Sequence, residues 1–287
     1  MLAVLCALGS SLLYALASVL QHRGAIEQPE EQSLKVGLLV RLLRHPAWLI
    51  GTACDAGGYA LQFVALGHGA IVVVQPLLVC GLLFALPIGA AWAGRRLTGV
   101  DWLGAVLVCA GLAIFLLVAN PANGRDDTSP GRWIGLLVGV TVLTGVLTGV
   151  ATQVDARRRA VLLAGSAGVL YGAAAALTKT SAHLLGKGVV PLVTHWQPYV
   201  LVLFGGAGML FAQSAFQAGA LDYSLPTMTV VDPVVSIAIG AWFFDEAIAS
   251  RPGEVVVEIL SLAAMSAGVW LLARFEAQLS RPERSRA

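Results

Sequence analysis

The sequence predicts an all-α polytopic membrane protein of about nine transmembrane helices, ten if one short amphipathic stretch also enters the bilayer. Three observations predict it. Of 287 residues, 57% are hydrophobic and only 12% are charged, against about 25% charged in an ordinary soluble protein, and the mean hydropathy is +0.81. The apolar residues fall into runs close to the roughly 20 that a spanning helix needs. Finally, stretches of the first half recur in the second at one constant offset.

In chain order the runs are 1–20, 46–66, 70–93, 101–119, 133–152, 160–182, 198–221, 225–244 and 254–273. The first carries an A-x-A pattern at Ala15 and Ala17, but no basic residues precede it as in a signal peptide, and a later run repeats it. It reads as a retained helix. The longest polar connection, "HRGAIEQPEEQSLK", leads into "LKVGLLVRLLRHP" (34–46), which is short and carries Lys35, Arg41 and Arg44. That stretch suits an interfacial helix better than a tenth span. "NPANGRDDTSPGR" (120–132) has the composition of a solvated loop and divides the chain. The tail 274–287 is polar.

Internal repeats decide architecture. At an offset of 157 residues, "AVLCALGSSLLYALASVL" from Ala3 matches "AVLLAGSAGVLYGAAAAL" from Ala160, pairing Tyr14 with Tyr171. The same offset lays "VVVQPLLV" (72–79) on "TVVDPVVS" (229–236), and Ala110-Gly111 on Ala267-Gly268. The expected organisation is a first four-helix repeat, 1–119, a loop and linking helix, 120–159, a second repeat, 160–273, and the tail. Five spans separate equivalent positions. An odd number turns the second repeat upside down, and inverted repeats are the pattern of secondary transporters, whose sites lie near the bilayer midplane.

Charge sets the orientation. With nine spans, Arg125, Arg132, Lys179, Lys187 and Arg251 share the side of the N-terminus, and the other thirteen Lys and Arg lie opposite. The positive-inside rule puts the N-terminus outside and the C-terminus in the cytoplasm of a cell-membrane protein. The net charge of +2 argues for no nucleic-acid partner.

An intramembrane acid is expensive, about 2.5–3.5 kcal/mol on insertion scales, and so marks a candidate site. Asp232, directly before Pro233, stands about seven residues into its run, roughly 10 Å deep at 1.5 Å per residue. It is a candidate for substrate binding or proton coupling, or else the N-cap of a half-helix that begins at Pro233. Asp55, among Gly51, Gly57 and Gly58, is the second midplane acid, suited to a cationic substrate or a coupling proton. Gln75 mirrors Asp232 and offers neutral hydrogen bonds, to substrate or to another helix. Tyr14 and Tyr171 each need a partner for a mid-helix hydroxyl. Lys179 snorkels to the interface, answers Asp55 or Asp232, or contacts an anionic substrate. Gln62 and Gln213 add polar groups.

Gly135, Gly139, Gly145 and Gly149 give the linking helix small-residue faces for close contact, within the chain or with a second copy as a homodimer. Cys6, Cys54, Cys80 and Cys109 lie unpaired in apolar runs, and the histidine spacing suggests no metal site, so any metal is unspecified. No G-x-S-x-G, H-E-x-x-H, P-loop or dinucleotide fingerprint is present. The reading is therefore not an enzyme and calls for no cofactor. The partners expected are a small solute or ion and membrane lipid. A non-transporting scaffold or partner subunit is the different class to be weighed.

"ALGHGAIVVVQPLLV", "ALDYSLPTMTVVDPVV", "WLGAVLVCAGLAIFLL" and "ILSLAAMSAGVWLLA" resemble segments of the drug/metabolite transporter superfamily, EamA-like, across most of residues 1–273. The resemblance implies inverted halves and alternating-access transport. "WLIGTACDAGGYALQFVALGHGAIVVVQPL" is also similar to part of the NIPA-type magnesium transporters, which carry Gly-Glu, Asn-Phe and Thr-Pro-Leu. Here Tyr59 follows Gly58, Gln62 precedes Phe63, and Gln75 precedes Pro76-Leu77.

Overall fold

The computed structural model describes residues 1–26, 46–92, 97–119, 124, 128–218, 221–246 and 252–279. Among these the only regular elements are helices. They are α1 (Leu2–Ile26), α2 (Pro46–His68), α3 (Ile71–Val79), α4 (Gly81–Trp92), α5 (Gly99–Ala119), α6 (Pro130–Ala151), α7 (Ala156–Gly186), α8 (Val189–Thr194), α9 (Gln197–Ala218), α10 (Leu221–Phe243) and α11 (Pro252–Leu279). Where it is described, each apolar run of the sequence is mainly helix. Four stretches, Pro46–His68, Pro130–Ala151, Ala156–Gly186 and Gly253–Leu272, are long and apolar enough to cross a membrane. The other runs give shorter apolar helices. The stretch 34–46 lies outside the described residues apart from Pro46, which opens α2.

α7 is the central pole. Its 31 residues would rise about 46 Å, and its apolar window is far more buried than that of α6. Composition explains why: "AGSAGVLYGAAAAL" presents small side chains on every face, so α2, α6, α9 and α10 all pack against it. Asp155 starts the helix, accepting the Arg158 backbone N–H at 3.0 Å. That hydrogen bond holds its carboxyl below the usual carboxylate range. Ser129 precedes Pro130 at the start of α6, where a missing N–H costs nothing.

α1 packs on α2, α3 and α4, and the matching α7 packs on α9 and α10. α5 and α11 pack on each other. A methyl group at Gly111 would stand 2.7 Å from the Ser261 carbonyl oxygen, and one at Gly268 would stand 2.7 Å from that of Gly104. Adding 157 to Gly104 and Gly111 gives Ser261 and Gly268, so each contact is the other with its two partners exchanged. The two helices therefore run antiparallel through small residues that admit close backbone approach.

Three expectations are corrected. The run 70–93 is a single span in the sequence but divides at Cys80 into α3 and α4. Pro76 and Pro87 interrupt its hydrogen-bond ladder, and Gly81 brings the chain against the Ser11 carbonyl oxygen. Conversely, α10 runs unbroken through Asp232-Pro233, so Asp232 caps no half-helix. The linking helix also departs from the intramolecular packing its glycines suggested. α6 buries Trp133, Leu136, Val140 and Thr144, whereas a methyl group at Gly135, Gly139, Gly145 or Gly149 would meet nothing within 4 Å among the described residues. Its bulky side of contact is on the opposite face.

Candidate functional site

Gly168 and Gly172, one turn apart on α7, set the depth of the first cluster. A methyl group at Gly168 would stand 2.8 Å from Val231 Cβ, and one at Gly172 would stand 2.7 Å from Val235 Cγ1. Only glycines let α10 come this near, and they bring its Asp232 backbone against α7. Asp232 is half-buried, and its Oδ1 accepts the Ser236 hydroxyl at 3.2 Å. Counted from Leu221, where α10 begins, it lies about 16 Å along the axis. That is mid-helix, deeper than the sequence run suggested.

Tyr171, the residue before Gly172, turns to α9, where its ring lies against Gly208. The matched Tyr14 lays its ring on Gly58 of α2 and donates its hydroxyl to Gln62 Oε1 at 2.6 Å. Ser10 Oγ closes the same contact on the Gly58 carbonyl, 2.7 Å away. Asp55, three residues before Gly58, is exposed. α1 packs on α2, α7 packs on α10, and α2 packs on α7, so the helices that carry these four groups adjoin. Tyr59 joins them across to α7, its hydroxyl 3.2 Å from Thr178 Oγ1.

Gln75 is buried on α3, which packs on α10. The Gln213 side chain lies outside the described residues.

A second cluster surrounds Lys179. The sequence offered the interface, Asp55 or Asp232 for this side chain; its partner is instead Glu246, with Nζ 2.6 Å from Oε1 and both side chains buried, 4% and 0% exposed. Glu246 Oε1 also accepts the Ile71 N–H and Oε2 the Val72 N–H, each at 2.9 Å. The carboxylate thus caps α3, where the helix dipole favours a negative charge. Lys179 Nζ sits 4.8 Å over the Phe244 ring. Phe244 stacks edge-on with Phe243, Phe243 with Trp133, and Trp133 with Trp196. Arg132 bridges to Asp245 at 3.0 Å, a residue with φ of +52°.

Glu246 is the main residue that sequence reasoning missed. It follows the apolar run "IAIGAWFF" as part of a short polar "DEA" and looks like loop chemistry. One signal was present: its repeat mate is Gly89, so the acid is a departure from the repeat. Tyr59, Thr178 and Ser236 were likewise unassigned. Among the described residues, no three His, Cys, Asp or Glu side chains gather as they would around a metal. His68 and His195 are hydrogen-bonded to carbonyls one turn back, at 2.9 Å and 2.7 Å.

Two proteins similar to this chain place it among others. An uncharacterized protein of Corynebacterium glutamicum is 36% identical over 242 residues, covering 84% of this chain and 83% of its own length. The probable magnesium transporter NIPA9 of Arabidopsis thaliana is 21% identical over 272 residues, covering 90% of this chain and 77% of its own. No family model matches the chain, and no solved structure matches it.

Proposed function

The chain belongs to the family of that Corynebacterium glutamicum protein, and we propose that it is a secondary transporter which moves a small solute by alternating access. The observation that carries the reading is the packing of α2, which bears Asp55 at its middle, against α7, on whose Gly168 and Gly172 the Asp232 stretch of α10 is seated. Acids are retained in a bilayer core where they line a wet pathway or bind what passes through it. The transporter name of the distant Arabidopsis relative and the apolar helices support the same reading. In it the molecule is of the drug/metabolite transporter type, EamA-like, with nine spans in two inverted repeats, 1–119 and 160–273, joined through 120–159. The exchanged contacts of α5 and α11 support that inversion, since antiparallel equivalent helices are what an in-plane two-fold axis relates. The protein lies in the cell membrane with its N-terminus outside and the 274–287 tail in the cytoplasm, and it is not an enzyme.

In this reading Asp55 and Asp232 bind the solute or carry the coupling proton, with Tyr14, Tyr171, Gln62, Gln75 and Gln213 as contacts and Lys179 as a supporting charge. A second reading is magnesium transport, favoured by the name of the Arabidopsis relative. Two carboxylates suffice for an ion that keeps several of its waters. The open glycine face of α6 suits a homodimer in either case.

A thermal-stability screen of the purified protein separates the readings, because a ligand that binds the folded state alone raises its stability. Stabilisation by an amine, amino acid or nucleoside that disappears in Asp232→Asn supports the solute carrier. Stabilisation by millimolar magnesium chloride alone, lost in Asp55→Asn and Asp232→Asn, moves the assignment to magnesium. Ligand shifts that survive both substitutions count against any role for this cluster.

A further inference from the structure

Glu246 joins three parts of the chain at one point. It sits just beyond α10, holds the first two N–H groups of α3 at 2.9 Å, and pairs with Lys179 of α7 at 2.6 Å. Its seat is made by glycines: a methyl group at Gly240 would stand 2.5 Å from Oε2, and Gly124 packs against its backbone. The tie lies at the end of the molecule where Ala3 meets Gly69 and Gly67 meets Ala182, the end that holds Met1. It spans the two halves, since Ile71 and Val72 belong to the first and Lys179 and Glu246 to the second. It is also one residue from the central cluster, because Thr178, beside Lys179, meets the Tyr59 hydroxyl.

We propose that Lys179 and Glu246 are positioning residues that close the central cluster toward the Met1 face, and that this face opens when their tie to α3 parts. The inference rests on the carrier reading, in which closure at either face must be reversible. A permanent apolar seal would need no ions: replacing a buried pair by hydrophobic residues is often neutral or better for stability. The neighbouring residues also look prepared for water. Thr180 Oγ1 and Ser181 Oγ are buried without a hydrogen-bond partner among the described residues. Alanine would fill those positions at less cost if they stayed dry, whereas hydroxyls gain partners once the face opens. The same water would solvate the separated lysine and glutamate.

Ser181→Cys is the reporter, in a chain whose Cys6, Cys54, Cys80 and Cys109 are replaced by serine. The protein is held in lipid nanodiscs and treated with a membrane-impermeant maleimide. Thr52→Cys, on α2 toward the opposite end, is the comparison. Glu246→Gln and Lys179→Met should each raise the rate at Ser181→Cys at least about tenfold, the change that a decade in the open–closed equilibrium gives, and leave Thr52→Cys no faster. An unchanged rate at Ser181→Cys, or an equal rise at both reporters, overturns the closure. A single variant strands a buried charge and can fail to fold, so the neutral double variant Lys179→Met/Glu246→Gln decides by the same two outcomes. The labelling needs no substrate. Its failure removes the closure and leaves the carrier reading intact, while ligand binding that is indifferent to Asp55 and Asp232 removes that reading itself.

Discussion

Gly172 and Asp232 meet backbone to backbone: a methyl group added at Gly172 would stand 3.1 Å from the Asp232 carbonyl oxygen. The acid's position is thus set by the absence of a side chain on its neighbour. Gly172→Ala should cost about 1–3 kcal/mol, the usual range for overpacking, and should weaken ligand binding through Asp232. Gly165→Ala is the control on the same helix. It meets nothing within 4 Å and should be neutral or stabilising by up to about 1 kcal/mol, as alanine is in a helix interior. Thermal unfolding of the two purified variants checks the contrast.

The buried pair makes a prediction about non-additivity. Lys179→Met or Glu246→Gln alone leaves an unanswered charge or an unsatisfied group where both side chains are almost fully buried. Each should cost about 3–5 kcal/mol. The double variant should cost clearly less than the sum, because neither charge remains. A double-mutant cycle by thermal or chemical denaturation measures the coupling, and strict additivity would mean that the two side chains do not meet.

Asp155 predicts a pH effect outside the membrane. Its folded carboxyl titrates below the usual value, first because the Arg158 N–H binds its charged form. For a group depressed on folding, the stabilisation is complete above the unfolded value, near 3.9, and is lost as pH falls through the folded one. Asp155→Ala should therefore lower the melting temperature at neutral pH, and the gap from the parent protein should narrow as pH falls below about 4. Melting curves at several pH values test it; a gap independent of pH would contradict the cap.

The tyrosines should separate by their bonds. Tyr14→Phe removes the 2.6 Å donor to Gln62 and strands an amide oxygen, a loss of about 1–3 kcal/mol if it stays dry. Tyr59→Phe gives up only a 3.2 Å contact with Thr178, whose hydroxyl already donates to the Ala174 carbonyl at 2.8 Å. Its unfolding temperature should move less than that of Tyr14→Phe.

The helices were legible because hydropathy acts locally, over about one span. The offset of 157 likewise brought out the Tyr14/Tyr171 match before any contact was known. Pairing was less legible. The small-residue run of α7 signalled close neighbours, but not that α10 would be seated at Gly168 and Gly172. The glycines of α6 carried the same signal and meet nothing within the described chain, since small residues permit an approach without requiring it. Lys179 was visible and its partner was not: Glu246 lies 67 residues away, past a helix end, where an acid ordinarily faces water. Proline misled in both directions. Asp232-Pro233 sits in an unbroken helix, whereas the chain divides at Cys80, where close contact with Ser11 adds to the effect of Pro76.

The central claim is that Asp55, exposed on α2, faces water enclosed at mid-depth and not lipid. The most direct measurement compares Asp55→Cys with Val202→Cys, 76% exposed on α9, in the cysteine-free chain in nanodiscs, using a charged, water-soluble thiosulfonate. A thiol reacts as its thiolate, which forms where water reaches it. The account predicts that Asp55→Cys is modified while Val202→Cys stays unreactive. Equal inertness of the two positions would put Asp55 against lipid and contradict the account.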